Sequence, residues 1–104
     1  MSDFGLKYEV LQQISKVIGN HPVVVGAAIF GSRAKGTHKK YSDIDICLYG
    51  PVDPGETERI KSELSELDVI YNFDLVAFDS INNLELQEHI TRCGVEFYGG
   101  NYAE

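Results

Sequence analysis

Gly31-Ser32-Arg33-Ala34-Lys35-Gly36-Thr37-His38-Lys39-Lys40-Tyr41-Ser42-Asp43-Ile44-Asp45 is the stretch that orders the rest of this sequence. An apolar run, Val23 to Phe30, leads into it, and a second, Ile44 to Leu48, leads out. Short apolar runs rich in β-branched residues, broken by glycine, read as strands. Gly31 ends the first strand, and Ser32 starts one helical turn that runs to about Lys35. Residues 36–40 make a polar, exposed loop. The linker is only about a dozen residues long, which is short for a parallel crossover, so the two strands are expected to pair antiparallel.

Outward from this pair, the same reading gives helices alternating with strands. Residues 4–19 carry Tyr8, Leu11, Ile14, Val17 and Ile18 at helical spacing. Ser2 or Asp3 caps that helix, and Gly19-Asn20 with Pro22 stops it. Residues 23–30 read as a strand buried on both faces, with Gly26, Ala27 and Ala28 permitting close packing. The second strand spans 43–49, with Asp43, Asp45 and Cys47 on one face and Ile44, Ile46 and Leu48 on the other. Gly50 to Gly55 is a loop. A helix at about 56–67 has Ile60, Leu64 and Leu67 as its buried stripe, and a third strand at 69–78 is interrupted by Asp74. Ser80 caps a last helix at about 81–93, with the stripe Leu86, Ile90 and Cys93, and Gly94 ends it in the left-handed position. Val95 to Tyr98 is a short fourth strand or a docked tail, and Gly99 to Glu104 frays. The second and third strands flank a full helix and are expected to run parallel. The class is α/β: a small mixed sheet of three to four strands flanked by helices, forming one domain over residues 1–104.

The net charge of −7, from 9 basic and 16 acidic residues, argues against an extended nucleic-acid footprint. A polyanion bound here needs local basic groups or metal ions, because the overall field repels it. Cys47 and Cys93 sit in apolar segments without a paired spacing, and read as two buried, reduced thiols in a cytoplasmic protein. The N-terminus does not resemble a signal peptide, and no apolar run approaches the ~20 residues of a membrane span.

The central stretch carries the chemistry. Residues two apart on a strand share a face, so Asp43 and Asp45 project together. Two adjacent carboxylates suit a hard divalent cation, and Mg²⁺ is commonly held by one or two carboxylates plus substrate phosphates. At Gly31-Ser32, the glycine lets a phosphate approach the backbone, and the helical turn that follows offers unpaired amides. Asp74, if its strand lies beside the second, faces the same way. Three acids with a phosphate turn describe nucleotidyl or phosphoryl transfer. Each feature also has a plainer description: two solvated aspartates, a capping serine, and an acid on a strand edge.

Taken together, Gly31-Ser32, ten residues, then Asp43-Ile44-Asp45, with Asp74 as a third acid, resemble the signature of the DNA polymerase beta-like nucleotidyltransferase superfamily. The short chain resembles the minimal nucleotidyltransferases of that superfamily, and the likeness covers about residues 5–98. The resemblance implies that Asp43, Asp45 and Asp74 are catalytic and hold two Mg²⁺ ions. It implies that Gly31, Ser32 and Arg33 bind the nucleotide, ATP or another NTP. The lysines Lys35, Lys39 and Lys40 belong to the same loop, either near the triphosphate or solvated. His21 and His89 are read as surface or helix residues, and His38 and Tyr41 as loop residues. Minimal members resemble one half of a pair with a small all-helical HEPN protein, in which the nucleotidyltransferase acts as an antitoxin that adds AMP to a partner tyrosine. The expected function is therefore Mg²⁺-dependent transfer of NMP, AMP above all, to a hydroxyl of such a partner. The alternatives are a module that neutralises a helical partner by contact alone, and an ATP-binding sensor.

Overall fold

Alternation along one strand fixes the two faces of the sheet. Ile44, Ile46 and Leu48 are fully buried on one face, while Asp45, Cys47 and Tyr49 occupy the other. The structure, a computed structural model, describes residues 4–99. In chain order the elements are α1 (Tyr8–Gly19), β1 (Gly26–Phe30), α2 (Ser32–Lys35), β2 (Ile44–Tyr49), α3 (Pro54–Ser65), β3 (Phe73–Ala77), a 3-10 turn (Phe78–Ser80), α4 (Leu84–Cys93) and β4 (Val95–Tyr98).

The sheet order is β3-β2-β1-β4. β1 and β2 pair antiparallel, with Phe30 opposite Asp45, and β2 and β3 run parallel, with Asp45 opposite Asp74. Both orientations follow from the lengths of the connections. β4 adds to β1 as an antiparallel edge strand, so residues 95–98 are a strand rather than a docked tail.

Ile14 and Ile18 of α1 and Ile60 and Leu64 of α3 pack against Ile29, Ile46 and other residues on one face of the sheet. Removing such a side chain from water stabilises by about 1.5–3 kcal/mol, which is how helices this short are held. On the other face, Ile90 of α4 packs with Phe30 and Cys47. This second cluster is small. It leaves Asp45 half-buried and Asp43 and Asp74 exposed.

Several boundaries differ from the sequence reading. α1 begins at Tyr8, and Tyr8 is exposed. The chain reverses at Phe4 and Gly5, both with positive φ, so Phe4 and Leu6 enter the core ahead of the helix. The proposed caps Ser2 and Asp3 lie outside the described residues, as do residues 100–104 of the tail. β1 is shorter than its apolar run, because Val23 and Val25 stay partly exposed in the approach to it. β3 likewise begins only at Phe73. α3 starts earlier than expected: the Asp53 side chain accepts from the Glu56 amide at 2.8 Å and Pro54 takes the first helical position. Asn83, not Ser80, caps α4 by accepting from the Leu86 amide at 3.1 Å, since residues 78–80 are used by the 3-10 turn. Gly94 has φ −67, so it carries the chain directly into β4 and is not a left-handed cap. Both cysteines are free, but only Cys47 is buried, and burial pushes its thiol up to about 12.

His21 is a further correction, being only 8 % exposed. Its Nδ1 bonds the Glu56 carboxylate and its Nε2 bonds Glu63 at 2.9 Å. Both ring nitrogens donate only when the imidazole is protonated. Burial lowers its pKa, and the hydrogen bonds to Glu63 and Glu56 raise it by more, so the net shift is upward from 6.5. Arg59 also bonds Glu56 and, with His21, holds that carboxyl low. A raised histidine contributes stability that is complete below pH 6.5 and is lost as pH rises through its higher folded value. The clasp is therefore strongest in mildly acidic solution. Melting temperature is expected to fall between pH 6 and pH 8 by several degrees more in the parent than in His21→Gln.

Candidate active site

The three acids reach one place from two strands. Asp45 follows Ile44 on β2, and Asp74 follows Phe73 on β3. Ile44 and Phe73 anchor in the core, and the Ile44 amide donates to the Asn72 carbonyl at 2.9 Å. Those anchors set the parallel register that puts Asp45 and Asp74 side by side. Asp43 stands immediately before β2, on the same side by alternation. Asp74 lies on the edge strand and is exposed, so it carries none of the burial cost that a lone acid inside an apolar run suggests.

The electrostatics reflect this crowding. Burial pushes the Asp45 carboxyl up, and the Asp74 and Asp43 charges push it further, while the Arg33 charge partly offsets them. An oxygen-rich site with surplus negative charge is the donor chemistry a hard cation needs. Among the described residues, no group of three or more His, Cys, Asp or Glu side chains is arranged to hold a metal ion unaided. Mg²⁺ does not need such a cage, because it takes one or two carboxylates and completes its shell with water and phosphate oxygens. The residues thus fit the ion as partners of a nucleotide.

The Gly-Ser turn adjoins the acids directly. Gly31 has φ 74 and ψ −149, a conformation favouring glycine. A Cβ there would lie 2.4 Å from Asp45 Oδ2. Ser32 opens α2, whose first amides have no partner within the helix.

Arg33 is elsewhere. It was expected to bind nucleotide, but its side chain is only 1 % exposed. Nη1 donates to the Phe4 carbonyl at 2.7 Å, and Nη2 and Nε donate to the Ser42 carbonyl at 3.0 and 3.2 Å. The guanidinium also stacks over the Tyr71 ring at 4.8 Å. These contacts use its side-chain donors inside the protein, so the Arg33 guanidinium reaches the acids by its charge and is not turned toward a phosphate. Lys35, Lys39 and Lys40 are exposed and make no ion pair among the described residues. The Lys40 ammonium lies over the Tyr41 ring at 5.5 Å. His89 is half-buried against the edge of Phe30, with ring centres 6.2 Å apart. Tyr71 is the site-supporting residue that the sequence did not flag; an aromatic just ahead of an acid-bearing strand was its only signal.

The sequence matches the family described as "Polymerase beta, Nucleotidyltransferase" over residues 12–102. The chain belongs to the polymerase beta nucleotidyltransferase family. A probable protein adenylyltransferase MntA of Haemophilus influenzae is 43% identical over 49 residues, covering 45% of this chain and 43% of that protein. The matched part thus spans less than half of that relative's length. A putative protein adenylyltransferase, MJ1217, of Methanocaldococcus jannaschii is 33% identical over 84 residues, covering 79% of this chain and 85% of that protein. The fold is also that of a chain in the Shewanella oneidensis complex of a tri-AMPylated HEPN toxin with its MNT antitoxin: TM-score 0.70, 22% identity, 94% of this chain and 76% of that one. The mixed sheet and flanking helices are therefore those of a polymerase beta-like nucleotidyltransferase. Among the described residues, no helix is long and apolar enough to cross a membrane.

Proposed function

We propose that this family member is an Mg²⁺-dependent adenylyltransferase that moves AMP from ATP to a tyrosine hydroxyl of a small all-helical HEPN-type partner, as the antitoxin of a pair. The observation that carries this reading is the alignment of Asp45 with Asp74 across β2 and β3, with Gly31 against the Asp45 carboxylate. The two adenylyltransferase relatives support the nucleotide class, and the AMPylated toxin of the Shewanella oneidensis complex supports the kind of acceptor. The free thiols of Cys47 and Cys93 suit a reducing cytoplasm.

In this reading Asp43, Asp45 and Asp74 hold the ions. Bound Mg²⁺ supplies charge neutralisation for the triphosphate and its leaving pyrophosphate. Gly31 leaves the backbone open to the phosphates next to Asp45, and the Ser32 hydroxyl and the amides of α2 donate to them. Asp74, exposed on the edge strand, faces the side open to an incoming hydroxyl and accepts its proton. The acceptor oxygen bonds to the α-phosphorus as the bond from that phosphorus to the bridging oxygen breaks, and pyrophosphate leaves. All of this takes place on a chain of net charge −7, so ions, not a basic surface, hold the nucleotide.

The experiment is mass spectrometry of a HEPN-type partner produced together with this chain. AMP on a partner tyrosine is the expected result. Unmodified partner held in a stable complex, with protection retained in Asp43→Asn, would favour neutralisation by contact instead.

A further inference from the structure

We infer that Arg33 is a positioning residue that ties the two acid-bearing segments together, so that Asp43 and Asp74 are set by one buried side chain. The inference rests on the proposed function for its meaning, and on geometry for its content. The guanidinium donates to the Ser42 carbonyl from Nη2 at 3.0 Å and from Nε at 3.2 Å. Ser42 is the residue directly ahead of Asp43. A weaker contact at 3.5 Å reaches the Lys40 carbonyl. The same group lies over the ring of Tyr71, 4.8 Å from its centre, three residues ahead of Asp74. Its third anchor is the Phe4 carbonyl at 2.7 Å, in the reversed turn that precedes α1.

The chemistry suits this task. A buried cation is costly unless its donors are used, and here they fall on backbone carbonyls and an aromatic face. The fork of the guanidinium fixes direction as well as distance, which an ammonium cannot do. Arg33 itself is in α2, two residues after Gly31. One side chain therefore joins the phosphate turn, the approach to Asp43 and the approach to Asp74. The approach to Asp74 is far in sequence from the other two. The Ile44 amide, which donates to the Asn72 carbonyl at 2.9 Å, joins the same two approaches on the acid side of the clamp.

The test uses the full chain and the substitutions Arg33→Lys and Tyr71→Leu, at a temperature where circular dichroism shows each variant folded. Three readouts are compared with the parent: amide hydrogen exchange, Mn²⁺ binding by calorimetry, and turnover. The expected result for Arg33→Lys is faster exchange in residues 40–44 and 70–74 together, Mn²⁺ affinity at least fivefold weaker, and kcat at least tenfold lower with KM for ATP changed less than twofold. Tyr71→Leu should move the same three in the same direction by less. Parent-like exchange in either segment overturns the inference, as does a parent-like kcat in folded Arg33→Lys. If Arg33→Lys does not fold, the Tyr71→Leu result decides by the same criteria. A parent protein that neither binds Mn²⁺ nor turns over would sink the proposed function, while the exchange readout still judges the clamp.

Discussion

Asp45→Asn is expected to reduce AMP transfer by at least about a thousandfold and to raise the melting temperature at the same time. The two effects share one cause. Burial, Asp74 and Asp43 raise the Asp45 carboxyl above 3.8, with Arg33 as a partial offset. An acid whose folded value is raised stabilises the fold when protonated, below about pH 3.8, and that contribution is lost as pH climbs through the folded value. At neutral pH the ionised carboxylate is thus a net cost to folding in the absence of a cation. Asparagine keeps the shape and removes the charge. The gain in melting temperature should be present at pH 7 and should shrink as the pH approaches 4. Parallel melts and transfer assays on the two proteins measure this. A variant that is both fully active and unchanged in stability would show that Asp45 carries neither role.

Gly31→Ala is the second large effect. The substitution costs about 1–3 kcal/mol in backbone strain alone, because φ is 74. The new Cβ would also stand 2.4 Å from Asp45 Oδ2 and 3.3 Å from its Cγ. β2 cannot retreat, since Ile44 and Ile46 on either side are fully buried. The carboxylate must swing away, and transfer should fall at least about a hundredfold even where the protein is folded. Gly36→Ala is the control: it has φ 79 but nothing within 4 Å of its Cβ. That variant should lose stability and keep most of its activity. Equal activity losses in the two would mean that strain, and not contact with Asp45, is responsible.

The sequence made the layout of the site legible because its signals are local. Gly31-Ser32 and Asp43-Ile44-Asp45 lie within one connection, and that connection is too short to join parallel strands. Asp74 could be placed because a single acid in an apolar strand must face out of the core. The supporting residues were not legible because their partners come from distant segments. Arg33 looks like part of a basic loop until Phe4, Ser42 and Tyr71 converge on it. His21 looks like a loop residue until α3 brings Glu56 and Glu63 to it from 35 and 42 residues away. Their seven-residue spacing on one helix face was the available clue. Ser80 and Asn83 are both good caps, and only the 3-10 turn that takes up Ser80 decides for Asn83.

The most direct measurement of the central claim is label transfer from ATP to a HEPN-type partner, with the label placed on the α- or the γ-phosphate in parallel reactions containing Mg²⁺. The account predicts that α-label appears on the partner and γ-label leaves as pyrophosphate, and that neither happens with Asp45→Asn. Transfer of γ-label to the partner, or α-label transfer that survives Asp45→Asn, would contradict it.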